Sequence, residues 1–171
     1  MSQVYLTGIE LVQFRSFANL KVKLAAQPSV LIVHGSNGLG KSSLFDALEW
    51  TLTDNIDHFR PANGYDKVGK YLCRWRDEPG STSVAMSFSD GKVIERQLAS
   101  PQAVSSTLAG VDDVAQYLRT DEWKPSINAL NRYLLLTHFL GQSTLSRLTH
   151  RSSDERFEIL ADSPLTLLVI R

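Results

Sequence analysis

The stretch Val30-Leu-Ile-Val-His-Gly-Ser-Asn-Gly-Leu-Gly-Lys-Ser-Ser-Leu-Phe45 decides the fold, because it reads as strand, glycine-rich loop and helix in immediate succession. Gly35, Gly40, Lys41 and Ser42 fill the pattern G-x-x-x-x-G-K-S/T, with an additional glycine at Gly38. The apolar run Val30–Val33 predicts a strand buried on both faces of a mostly parallel sheet. Beyond the loop, Leu44, Phe45, Leu48 and Leu52 recur at helical spacing.

Each residue type in this loop has a chemical reason. Glycines let backbone N–H groups turn inward around phosphate oxygens, and the helix that follows presents unpaired amides and the positive end of its dipole. Gly35, Ser36, Asn37, Gly38, Leu39 and Gly40 are therefore expected to cradle the phosphates of ATP. Lys41 is expected to reach the β- and γ-phosphates, and Ser42 to offer its hydroxyl to Mg2+. Ser43 completes the set of nucleotide-binding candidates, although a helix residue is the simpler reading of it. A glycine turn without function is the bland alternative for the loop.

Upstream, Val4 to Phe14 is rich in β-formers, and Leu20, Val22 and Leu24 alternate with Lys21 and Lys23, which predicts a paired β-unit. Downstream, Val84, Met86 and Phe88 alternate toward Asp90-Gly91 and Val93-Ile94 lead away, the pattern of a β-hairpin. Asn55 to Gly80 keeps no steady period and is read as loops with room for one short helix. Val111, Val114, Ala115 and Leu118 predict one helix; Ile127, Leu130 and Leu134 predict another after a Ser126 cap, Pro125 separating the two. Ser152 to Glu155 has capping-box form ahead of a further helix.

The chain has 171 residues, 43% hydrophobic and 21% charged, the composition of one globular domain. Eighteen basic and eighteen acidic side chains cancel, so any nucleic-acid contact has to be local. One cysteine excludes an internal disulfide framework, and the four histidines lack the spacing of a zinc motif. There is no signal-peptide pattern and no apolar run of membrane-spanning length, so a cytoplasmic protein without a membrane partner is expected.

Ile9-Glu-Leu-Val-Gln-Phe-Arg-Ser-Phe17 followed by Val30 to Trp50 resembles the amino-terminal half of the ATPase head of SMC-like proteins, most closely the SbcC (Rad-fifty) type. In that family an FRSF strand precedes an NGxGKSxxxDAxxW loop and helix, and both are present here. A second match, His138-Phe-Leu-Gly-Gln-Ser-Thr-Leu-Ser-Arg-Leu148 with Asp154 to Leu160, resembles the family's Q-loop and the helix after it.

The resemblance implies an α/β fold: a P-loop NTPase, ABC-ATPase-like half-head with a mixed β-sheet, β-hairpin additions and flanking helices. It implies one lobe over residues 1–171, ending near the start of a coiled coil. Gln142 is then a catalytic residue beside Lys41 and a ligand of the magnesium shell, and Arg15 sits near the nucleotide; a polar turn residue and a solvated strand arginine are the alternatives. The LSGGQ signature loop and an apolar strand ending Asp-Glu are not in this sequence. The implied partners are the carboxy-terminal half or a second head, DNA and a nuclease subunit. The implied role is double-strand-break repair, DNA-end processing or genome defence, with a non-hydrolysing, nucleotide-gated module as the alternative.

Other residues invite weaker readings. Arg60, Lys67, Lys70, Arg74 and Arg76 lie among Phe59, Tyr65, Tyr71 and Trp75, a mix suited to a DNA backbone or to an ordinary solvated face. Asp46 and Glu49 are read as helix-surface or structural carboxylates, His34 as a packed strand-end residue, and Cys73 as buried.

Overall fold

The computed structural model describes residues 4–27, 30–56, 59, 69–74, 81–103, 105–118, 126, 130, 131, 133 and 134. The chain divides into two compact units, Met1–Asp112 and Asp113–Arg171. In the first, strands β1 (Leu6–Phe14) and β2 (Phe17–Lys23) are followed by helices α1 (Lys41–Thr53) and α2 (Gly69–Leu72), then strands β3 (Thr82–Phe88), β4 (Val93–Leu98) and β5 (Thr107–Ala109). The strands form one sheet in the order β2-β1-β3-β4-β5, every ladder antiparallel.

The predicted β-unit is the β1–β2 pair, in register from Gly8 opposite Lys23 to Phe14 opposite Phe17. A two-residue connection, Arg15-Ser16, suits an antiparallel hairpin. The predicted downstream hairpin is β3–β4, closed at Gly91 with φ 84°, a backbone conformation that glycine adopts without steric cost. The irregular stretch after Asn55 carries the short helix α2.

Period-two burial puts Ile9 and Leu11 of β1 and Val84 of β3 on the face toward α1. Gln13, with φ 49°, breaks the alternation, so that Phe14 joins the core instead. Phe14 stacks on Trp50 with ring centroids 5.7 Å apart, and both are fully buried. This contact locks the end of β1 to the last turns of α1, and the aromatic area it buries dominates the local packing. Leu44, Ala47, Ile56, Leu72, Cys73 and Leu98 complete the cluster.

One predicted strand is absent. Val30 to Val33 forms no strand, and its exposure alternates through 86%, 47%, 82% and 45%. All four residues are exposed, and the segment has no ladder on either side among the described residues. A strand buried on both faces needs hydrogen-bonded neighbours as well as apolar side chains.

The far end of α1 is held by a polar network. Arg96 on β4 is buried and donates from Nε to the Thr51 carbonyl at 3.1 Å and from a terminal nitrogen to Ser106 Oγ at 3.0 Å. Ser106 Oγ in turn donates to Asp54 Oδ1 at 2.5 Å. A guanidinium on the last carbonyls of a helix satisfies orphan acceptors and complements the dipole.

In the second unit, α3 (Val114–Leu118) carries the buried Val114 and Ala115, matching the predicted apolar face. Residues 130, 131, 133 and 134 are helical, and the Leu130 N–H bonds to the Ser126 carbonyl at 2.9 Å. Gln142, the Q-loop segment and the capping-box segment lie outside the described residues.

Candidate nucleotide-binding site

The loop Gly35–Gly40 closes on the side chain of the lysine that follows it. Lys41 Nζ donates to the Gly35 carbonyl at 2.7 Å and to the Ser36 carbonyl at 2.9 Å, which curls the loop around an ammonium group. Gly38 and Gly40 have φ of 85° and 90°, conformations that residues with a Cβ rarely adopt. Gly40 has no room for a Cβ either, whereas one on Gly38 would meet nothing within 4 Å.

Gly40 is the N-cap of α1 and provides no side-chain cap. The first helical bond runs from the Leu44 N–H to the Gly40 carbonyl at 3.1 Å, so the amides of Lys41, Ser42 and Ser43 have no intrahelical partner. Three amides without an intrahelical partner, a helix dipole and a lysine make a donor-rich helix start. That donor set fits a di- or triphosphate. Ser42 is exposed on the first turn of α1, where its hydroxyl is open to a phosphate-bound cation, while Ser43 is buried with its Oγ 3.2 Å from Ser16 Oγ. Ser43 is thus a packed helix residue in its side chain and a phosphate-site residue only through its backbone.

Beside the loop, a groove of about 320 Å³ is lined by Phe17, Leu20, Val22, Leu31, Ile32, Val33, His34, Leu39, Gly40, Lys41 and Leu44. His34 is exposed on this groove and is not packed at a strand end, because the strand that would pack it does not form.

Arg15 also differs from a solvated strand arginine. Its guanidinium pairs with the Asp46 carboxylate and lies 4.7 Å from the centre of the Phe59 ring. Burial pushes the guanidinium below the ordinary arginine pKa. Asp46 and Glu49 are buried, not on the helix surface. What points to Asp46 in the sequence is its place in Leu44-Phe45-Asp46-Ala47-Leu48, a carboxylate inside an apolar run.

Of the basic and aromatic mix, Phe59, Lys70, Tyr71 and Arg74 are described: Phe59 stacks against Tyr71 at 5.5 Å with Arg15 over its ring, Lys70 Nζ lies 5.2 Å from the Tyr71 ring, and Arg74 donates to the Ser16 carbonyl at 3.4 Å. Arg60, Tyr65, Lys67, Trp75 and Arg76 lie outside the described residues. Cys73 is buried as expected. Among the described residues no group of three or more His, Cys, Asp or Glu side chains gathers to hold a metal, and no helix is long and apolar enough to cross a membrane.

Fold and loop together define an N-terminal piece of a P-loop ATPase head of the SMC/RecF, ABC-ATPase-like kind. The RecF/RecN/SMC N terminal domain matches residues 5–134, and the chain belongs to that family. Comparison with curated proteins gives no match.

Among solved structures, one described as "Structural biochemistry of ATP-driven dimerization and DNA stimulated activation of SMC ATPases" superposes with a TM-score of 0.57 at 19% identity. It spans 92% of this chain and 98% of its own. The recombination mediator protein RecF with ATP superposes with a TM-score of 0.51 at 16% identity over 78% of this chain, which spans 39% of the RecF chain. At these identities the likeness is one of fold.

Proposed function

We propose that this chain is the ATP-binding lobe of an SMC/RecF-type ATPase, of the SbcC kind by its FRSF and Q-loop segments, over residues 1–171. The observation that carries the reading is the loop Gly35–Gly40 closed around Lys41 Nζ at the uncapped start of α1. The structural neighbours that share the fold are an SMC ATPase and RecF bound to ATP, which supports the same ligand here.

In the proposed complex the amides of the loop and of the first turn of α1 take the phosphate oxygens, and Lys41 exchanges its two carbonyl partners for them. Such charge-assisted bonds are about twice as strong as neutral ones. Ser42 and Gln142 would hold Mg2+, which would supply charge neutralisation at the phosphates. Arg15 stands behind the first turns of α1. Turnover is assigned to a head completed by the LSGGQ loop and the Asp-Glu strand, in a carboxy-terminal half or second head. DNA and a nuclease subunit are the further partners, in a cytoplasmic repair, end-processing or defence role. The alternative, a module gated by nucleotide without hydrolysis, keeps the same binding site.

Thermal unfolding tests the reading. A ligand at a hundredfold excess over its Kd stabilises by about 2.7 kcal/mol, a rise in Tm of roughly 5–10 °C for a chain of this size. ATP with Mg2+ is expected to raise the Tm by that order and to leave Lys41→Ala unchanged. Equal behaviour of the two proteins contradicts it.

A further inference from the structure

The connection between β1 and β2 lies across the start of α1 at three points. Ser16 Oγ meets Ser43 Oγ at 3.2 Å, the Arg15 guanidinium pairs with Asp46, and Ser16 and Phe17 close against Gly40. Ser43 and Asp46 stand three positions apart, so they share one face of the helix. Asp46 also lies one helical turn beyond Ser42.

The Asp46 side chain is 2% exposed and that of Arg15 22%. A carboxylate so placed has little water, and unpaired it would repel a polyphosphate bound one turn away. A buried ion pair is a poor way to hold a fold together, since an apolar pair of the same volume does so as well. What the pair supplies that an apolar pair cannot is a guanidinium held in one place.

The backbone is bent to the same end. Gln13 and Arg15 both have φ of 49°, left-handed conformations unfavourable for residues with a Cβ. They are kept there by the Arg15 N–H on the Leu72 carbonyl at 2.8 Å and the Arg74 N–H on the Gln13 carbonyl at 2.9 Å. Away from Asp46, the guanidinium lies against Phe59, which is itself stacked on Tyr71. Carboxylate and ring together leave the side chain little rotational freedom.

We infer that Asp46 is a positioning residue for nucleotide binding: it orients Arg15 behind the phosphate loop and cancels its own charge in doing so. This rests on the ATP-binding reading of Gly35–Ser42. Asp46 does not touch the nucleotide; it acts through Arg15.

The test is the ATP–Mg2+ affinity of the full chain, measured calorimetrically together with the Tm of the nucleotide-free protein, for Arg15→Met, Asp46→Asn and the double variant Arg15→Met/Asp46→Leu. Arg15→Met should raise the Kd most, by more than tenfold, because it removes the guanidinium and with it the cation that offsets the Asp46 charge. Asp46→Asn should raise it several-fold. The apolar double variant should recover the Tm of the unaltered chain yet bind ATP several-fold more weakly.

A merely structural pair would recover affinity and Tm together, so a double variant that binds like the unaltered chain overturns the inference. Should the double variant not fold, Asp46→Asn decides alone, and affinity equal to that of the unaltered chain overturns it. If Lys41→Ala weakens binding and the Asp46 variants do not, this inference alone fails. If the unaltered chain does not bind ATP, the nucleotide reading fails and takes this one with it.

Discussion

A Cβ placed on Gly40 would fall 2.8 Å from Phe17 Cζ, inside any distance that carbon atoms tolerate. The phosphate loop is therefore seated against the β1–β2 hairpin, and its last glycine is required twice, once for φ 90° and once for space. Gly40→Ala should cost roughly 2–4 kcal/mol, about 1–2 from the left-handed backbone and the rest from displacing the ring. Gly38→Ala, with open space around it, should cost only the backbone part, about 1–2 kcal/mol. Denaturant unfolding of the two variants side by side checks the order.

The Arg96 network predicts an asymmetry of a different kind. Arg96→Met keeps the apolar stem but removes the donors to Thr51 and Ser106 from a buried site, and should destabilise by about 2–3 kcal/mol. Asp54→Ala removes a partner whose side chain is 40% exposed, and should cost under about 1 kcal/mol. Equal losses in urea melts would show that the ion pair, and not the helix-end hydrogen bonds, holds this corner.

Cys73 provides a check on the core. Burial raises its thiol above the ordinary value of 9.0, because the thiolate is the form that burial disfavours. The neutral thiol is thus favoured in the folded state, so its contribution to stability is intact below pH 9 and lost as pH rises through the folded value. Unfolding free energy should fall on the alkaline side of that point, less so in Cys73→Ala. At neutral pH the native protein should resist a thiol reagent that labels the denatured chain within seconds.

Local pattern made the loop, α1, the β1–β2 pair and the β3–β4 hairpin legible, since each is declared by residues within a few positions of one another: Gly35 to Ser42, the alternation around Val22, and Asp90-Gly91. Contacts across the chain were not. Arg15 and Asp46 are thirty-one positions apart and no periodicity links them. Asp46 and Glu49 are carboxylates that the sequence leaves open between the helix surface and a structural place; both are buried, and Asp46 is covered by Arg15 from the β1–β2 connection. Val30–Val33 shows the reverse error: an apolar run declares a preference for burial but not the neighbours that would satisfy it.

The most direct test of the account is calorimetric titration of the purified chain with ATP in the presence of Mg2+, beside Lys41→Ala. The account predicts one site per chain in the unaltered protein and loss of at least tenfold in affinity on removing the Lys41 ammonium group, about 1.4 kcal/mol or more. Absence of binding, or binding that Lys41→Ala leaves unchanged, would contradict it.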